Sequence, residues 1–148
     1  MKLQIKPLSP MIGREIPMPY YATPGAAALD LHACIDRPVT IPGGGQVLLP
    51  TGLAVSIQEN HVGIVAIRSS MGIRHGITLS NGIGVIDSDY RGPLHVGLHN
   101  LSKTPYTVQP ADRIAQLMIV PVTRHEVEVV EELDDTPRGA GGIGSTGR

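Results

Sequence analysis

The sharpest chemistry in this chain lies in Gly84-Val85-Ile86-Asp87-Ser88-Asp89-Tyr90-Arg91-Gly92. Asp87 ends an apolar run that reads as a strand. A carboxylate there is fixed in direction yet open to a cleft, and it can accept a proton from an attacking water. An Asx-turn aspartate beside a packed tyrosine fits the same residues. Asp89 is a competing base, less well oriented because it sits inside the turn. Arg68-Ser69-Ser70 stands where a strand meets a short helix. Unpaired N–H groups and a partial positive charge at such a junction favour phosphate; a serine cap with a surface arginine is the plain alternative. Gly139 to Gly144 spells G-x-G-x-x-G, but no strand closely precedes it and no helix follows, so it is not a dinucleotide fingerprint. A phosphate-loop reading fails because Ser145 occupies the lysine position. What remains is a run of glycine N–H groups able to converge on an anion, with Arg138, Ser145 and Thr146 as further donors. The alternative is an unstructured terminus.

Other candidates carry less. His95 and His99 have the spacing of a metal pair, but their segment reads as a strand and no third ligand stands nearby. Cys34, the single cysteine, reads as a small packed residue and excludes an internal disulfide. Gln116 interrupts the apolar run 114–122, so its amide either bonds backbone or faces a ligand. Glu126, Glu128, Glu131, Glu132, Asp134 and Asp135 read as a solvated edge that deters aggregation.

The elements that must position these residues are short strands. Residues 2–8 alternate, and Leu29, Leu31, Ala33 and Ile35 share one face of a second strand. Val39–Ile41 and Gln46–Leu49 flank Pro42-Gly43-Gly44-Gly45, a hairpin signature. Leu53–Ile57 and Gly63–Ile67 flank a turn at Glu59-Asn60-His61. Ile83–Ile86 and Leu94–Leu98 flank the Asp87 turn. Ile114–Val122 reads as a strand buried on both faces, and Glu126–Val130 alternates again. Ser69–His75 is the one short-helix candidate, opened by a serine cap and closed near Gly76.

Composition agrees. With 18 glycines and 13 prolines among 148 residues, a helical bundle is excluded and strands joined by tight turns are favoured. Length allows one domain. A net charge of -1 argues against a duplex nucleic-acid partner. There is no run of eighteen apolar residues and no signal-peptide pattern, so no membrane partner and a cytoplasmic location are expected. The expected fold is all-β, a jelly roll or distorted β-barrel over residues 1–133 with one short helix, followed by a mobile glycine-rich tail, 134–148.

Five segments in order resemble the trimeric dUTP diphosphatase (dUTPase) family, bacterial type: Ala28-Leu29-Asp30-Leu31, Arg68-Ser69-Ser70-Met71, Gly84 to Gly92, Arg113-Ile114-Ala115-Gln116, and Arg138 to Gly147. The resemblance implies a homotrimer of jelly-roll subunits with active sites shared between chains, the tail closing over a site built by neighbours. It implies hydrolysis of dUTP to dUMP and diphosphate with Mg²⁺ on the triphosphate, which limits uracil in DNA and supplies dUMP for thymidylate synthesis. Asp87 matches the family's base. Tyr90 matches the residue packed against deoxyribose, where a 2′-hydroxyl would clash. Asn81 and the backbone through Val85, Ile86 and His95 match the positions that read uracil. Arg68, Ser69, Ser70 and Gln116 match phosphate contacts. Asp30 matches an acid acting through metal-bound water. Arg138, Ile143, Ser145 and Thr146 belong to the closing tail.

Three features depart from the family pattern or touch a rival. Ile143 stands where phenylalanine usually stacks on uracil. Ile67-Arg68-Ser69-Ser70 replaces Pro-Arg-Ser-Gly. The related dCTP deaminases, the rival enzyme class, carry a glutamate in the strand after the Asp87 turn, and Leu94 to Asn100 holds no acid. A non-catalytic nucleotide-binding regulator on the same fold is the second alternative.

Overall fold

A computed structural model describes residues 2–143 and 145. The described residues form eleven strands and one helix: β1 Gln4–Pro7, β2 Leu29–His32, β3 Val39–Ile41, β4 Gln46–Pro50, β5 Leu53–Ser56, β6 His61–Ile67, α1 Ser69–His75, β7 Ile77–Leu79, β8 Gly84–Ile86, β9 His95–Asn100, β10 Tyr106–Val108 and β11 Arg113–Pro121. The fold is the all-β jelly roll that the turn-rich composition implies.

These strands pair antiparallel, in the orders β2-β11-β6-β8, β4-β9-β7, β1-β5 and β3-β10. No strand pairs with the next one in the chain. The expected hairpins therefore do not form. Gly45 N–H still closes a turn onto the Pro42 carbonyl at 2.8 Å, but it sends β3 to β10 and β4 to β9. Likewise β5 pairs with β1, while β6 pairs with β11 and β8. Loop chemistry dictates that the chain turns; which strand it then joins is decided by which apolar face can be buried.

β11 is the centre of the largest sheet, between β2 and β6, with Ile114, Ala115 and Leu117 buried. Its near-continuous apolar sequence suits that place. β2 was expected to be one-sided; all four of its residues are buried. Between the sheets lie Leu31, Ile41, Ile77, Leu98, Val108 and Ile114, each at most 1% exposed. Each such side chain contributes about 1.5–3 kcal/mol.

Two buried polar residues fix β9, whose first residue lines the site below. Asn100 donates to the Ile41 and Thr104 carbonyls at 3.0 and 2.8 Å and accepts from Ser102 N and Oγ. Thr51 Oγ1 donates to the Leu94 carbonyl at 2.8 Å, and Leu94 N–H donates to the Leu53 carbonyl at 2.7 Å.

Two local expectations need correction. The N-cap of α1 is Arg68, in extended backbone (φ -74, ψ 141) with no side-chain cap, rather than a serine. Its C-terminus does close on Gly76 in the left-handed region (φ 67). Glu126–Val130 forms no strand. Val127 and Val129 are 89% and 94% exposed, and among the described residues no strand pairs with this segment. No described helix is long and apolar enough to cross a membrane.

Candidate active site

β8 pairs with β6 on one side, and the chain leaving it turns at once. Asp87 occupies the first position past the strand and is exposed. The turn is tied at three points. Tyr90 N–H donates to the Asp87 carbonyl at 3.1 Å, and Arg91 Nη1 donates to the Ser88 and Tyr90 carbonyls at 2.6 and 2.9 Å. Tyr90 Oη donates to the Pro93 carbonyl at 3.1 Å, and His95 Nδ1 lies 3.2 Å from the same oxygen. These residues wall a cleft of about 260 Å³ that Asp87, Tyr90, Val85, Ile86 and His95 line.

A second hollow, of about 330 Å³, shares Val85, Ile86 and His95 with the first and adds Asn81. The expected base and sugar-facing ring thus line the first hollow and Asn81 the second, with Val85, Ile86 and His95 common to both. β8 and β9 belong to different sheets, so both hollows, each lined by β8 residues and His95, open between sheets rather than inside a hairpin. That is why two strands can flank them without bonding to each other.

A second group gathers where β2, β11 and the end of β6 meet. Asp30, on β2, is buried, and each of its oxygens faces a guanidinium. Arg68 Nε lies 3.0 Å from Oδ1, and Arg113 Nη1 lies 3.1 Å from Oδ2. One carboxylate against two arginines leaves one net positive charge, which favours an anion. Gln116 is the register neighbour of Asp30 and Ala66, and its Nε2 reaches the Ile67 carbonyl at 3.4 Å. Ser69 and Ser70 open α1 beside Arg68. Tyr106 braces that helix by donating to Met71 Sδ at 3.2 Å and setting its ring 5.0 Å from that of His75.

Arg113 is a functional candidate that residue-by-residue reading left without a role. The one signal in the sequence was a cation at the head of a run that otherwise reads as apolar; its partner, Asp30, is met only through the β2–β11 ladder. Beside this cluster, burial holds His32 below the usual histidine pKa; Asp30 pulls it up less strongly, and Arg113 and Arg68 push it down.

The two groups do not share a cleft: neither hollow is lined by Arg68, Ser69, Ser70 or Gln116. Among the described residues the tail joins neither. Its hydrogen bonds among the described residues stay local, such as Arg138 Nε to the Gly141 carbonyl at 3.0 Å and Ser145 N–H to the Gly142 carbonyl at 3.0 Å. Ile143 is fully exposed. Thr146 lies outside the described residues.

The donor set can be tested against a metal. Among the described residues no three His, Cys, Asp or Glu side chains come together. Asp30 already faces two cations. Such a set fits magnesium carried chiefly by substrate phosphates and water, and does not fit a protein cage.

A jelly roll with a carboxylate-and-tyrosine cleft, a platform of two arginines on one carboxylate and a glycine-rich tail has the parts of a nucleotide-handling protein. The dUTPase family model matches residues 14–147, and the chain belongs to that family. It is 48% identical over its whole length to deoxyuridine 5′-triphosphate nucleotidohydrolase of Acinetobacter baumannii, covering 99% of that protein. It is 47% identical to the Serratia proteamaculans protein of the same name, over 99% of this chain and 97% of that one. Among solved structures, the dUTPase of Staphylococcus bacteriophage 80alpha with dUpNHpp superposes with a TM-score of 0.88 at 26% identity, over 99% of both chains. A mutant dUTPase from phage phi11 of S. aureus, whose structure describes coordination of a structural Mg(II) ion, superposes at 0.79 with 24% identity, over 91% of this chain and all of that one.

Proposed function

We propose that this protein hydrolyses dUTP to dUMP and diphosphate. The observation that carries the reading is Asp87, set by the end of β8 at a cleft that Tyr90 also lines. In this reading Asp87 holds a water in line with the α-phosphorus and takes its proton. The water oxygen bonds to phosphorus, and the bond from that phosphorus to the bridging oxygen breaks. Diphosphate leaves with the bond's electron pair. Tyr90 packs against the sugar, leaving no space for a 2′-hydroxyl. Asn81 and the backbone of Val85, Ile86 and His95 read the uracil edge. Arg68, Ser69, Ser70 and Gln116 hold phosphate oxygens, with Asp30 and Arg113 setting the direction of Arg68. Bound magnesium would neutralise triphosphate charge, with Asp30 acting through its water. Most of the rate gain comes from alignment and charge neutralisation.

The working unit in this reading is a homotrimer with shared sites. It is supported by the separation of the two residue groups within one chain. It is supported also by the exposed Val127, Val129, Leu133 and Ile143 of a segment that makes only local bonds among the described residues. Residues 134–148, including Arg138, Ile143, Ser145 and Thr146, would close over a neighbour's site, and residues 1–133 form the barrel. We place the enzyme in the cytoplasm, where deoxynucleotide triphosphates are made and used; its product feeds thymidylate synthesis and its action limits uracil in DNA.

The test is diphosphate release from dUTP with Mg²⁺, compared with dCTP, dTTP and UTP. Release from dUTP alone is expected. Ammonia from dCTP would assign a deaminase, and tight binding without diphosphate would assign a regulator. β9, His95–Asn100, contains no acid to serve deamination.

A further inference from the structure

Gly92 is the turn residue whose missing side chain has a steric consequence at the cleft. Its backbone is outside the left-handed region, so alanine would suit its conformation. Yet a Cβ built there would fall on Tyr90 Oη, within 2.6 Å of Cζ and 3.0 Å of Cε2. Real Cβ contacts are essentially never that close, so one of the two partners must move. The turn backbone is held from both ends by the Tyr90 N–H bond to Asp87 and the two Arg91 bonds to Ser88 and Tyr90. Tyr90 is 43% exposed, and among the described residues its hydroxyl bonds the Pro93 carbonyl alone. The ring therefore gives way and the backbone stays.

We propose that Gly92 is a specificity-determining residue: by leaving the space over which the Tyr90 ring lies, it sets how close that ring stands to the sugar. The inference deepens the reading of the cleft as a deoxyribonucleotide site and rests on it. A side chain at position 92 would detach the ring from Pro93 and swing it off the cleft, opening room for a 2′-hydroxyl. Selectivity between deoxyribose and ribose by a steric wall is sensitive to the placement of that wall, since a methylene's worth of space changes discrimination about 10- to 200-fold.

The test compares wild type, Gly92→Ala and Tyr90→Phe in the full-length protein. The probes are non-hydrolysable imido analogues of dUTP and UTP with Mg²⁺ for binding, and the natural nucleotides for turnover. Gly92→Ala is expected to lower the dUTP-to-UTP ratio at least about tenfold, chiefly through tighter UTP-analogue binding, with a melting temperature close to wild type. Tyr90→Phe, which loses the Pro93 bond without a clash, should fall between the two. A ratio within threefold of wild type, or weaker dUTP-analogue binding with no gain for the ribose analogue, overturns the proposal. Binding and turnover separate the two claims: a wild type that discriminates the analogues but releases no diphosphate refutes hydrolysis and leaves the role of Gly92 decided by the binding ratio.

Discussion

Replacing Asp87 by asparagine separates catalysis from every other role of the turn. The side chain is exposed, and the backbone bonds that shape the turn come from the Asp87 and Ser88 carbonyls, Tyr90 N–H and Arg91, none of which the substitution removes. The stability change should lie within about 0.5 kcal/mol, as for other surface positions. The amide has the size of the carboxylate but cannot take a proton from water. Loss of a general base removes about 10²- to 10⁴-fold of rate, which is about 3–5 kcal/mol of barrier at 1.36 kcal/mol per decade. KM and analogue affinity should stay within a few-fold, because cleft and platform are untouched. The assay is continuous diphosphate release with titration of dUTP, paired with a melting curve. Turnover near wild type would refute the assignment. So would a loss that appears wholly in KM or in melting temperature, since it would make Asp87 a binding or structural residue.

Deleting residues after Leu133 should leave oligomeric state unchanged by light scattering and lower kcat/KM sharply; dissociation without a specific loss of catalysis would remove the lid from the scheme. Ile143→Phe adds an aromatic face to the lid, and stacking on a base is worth about 1–3 kcal/mol, so dUTP-analogue binding should tighten; unchanged or weaker affinity would show that Ile143 does not cover the base. The depressed pKa of buried His32 means the unfolded chain binds a proton where the folded one does not. Its contribution to stability is then complete above the unfolded value near 6.5 and is lost as pH falls through the folded value. Melting temperature should fall less steeply with acidification in His32→Gln, and parallel pH profiles for the two proteins would contradict this.

What the sequence made legible, and what it did not, divides along the range of the interactions. Ser69–His75 and its Gly76 closure depend on neighbours a few residues apart, and both appear where the residues place them. The apolar run 114–122 announced a strand buried on both faces; β11 lies between β2 and β6 as such a strand would, but only Ile114, Ala115 and Leu117 are buried, and Val120 and Val122 near its end are exposed because β2 pairs with the first part of β11 alone. The Asp87 turn was recognisable because its strand, acid and aromatic residue are contiguous. The hairpin assignments failed because a turn signature at Pro42–Gly45 says nothing about which strand 50 residues away offers a free edge. The strands at Ile77–Leu79 and Tyr106–Val108 are too short to show a period. Arg113 escaped because its meaning comes from Asp30, a partner far along the chain that only the β2–β11 ladder brings near. The serine cap failed since Arg68 itself occupies the cap position in extended backbone, leaving both serines inside the helix.

The order in which strands meet bears on how the protein is made. β2 lacks its neighbour until β11 has been synthesised, and β1 waits for β5, β3 for β10 and β4 for β9. A ribosome advancing at about 5–20 residues per second therefore exposes unpaired strand edges for several seconds before the middle of the main sheet arrives. Nascent chains stopped short of Arg113 should be protease-sensitive along their whole length, and release of the full chain should bring protection to all sheets nearly together. Folding dominated by such distant pairings is slow, so the interval between translation and a finished barrel is when this protein most needs a chaperone.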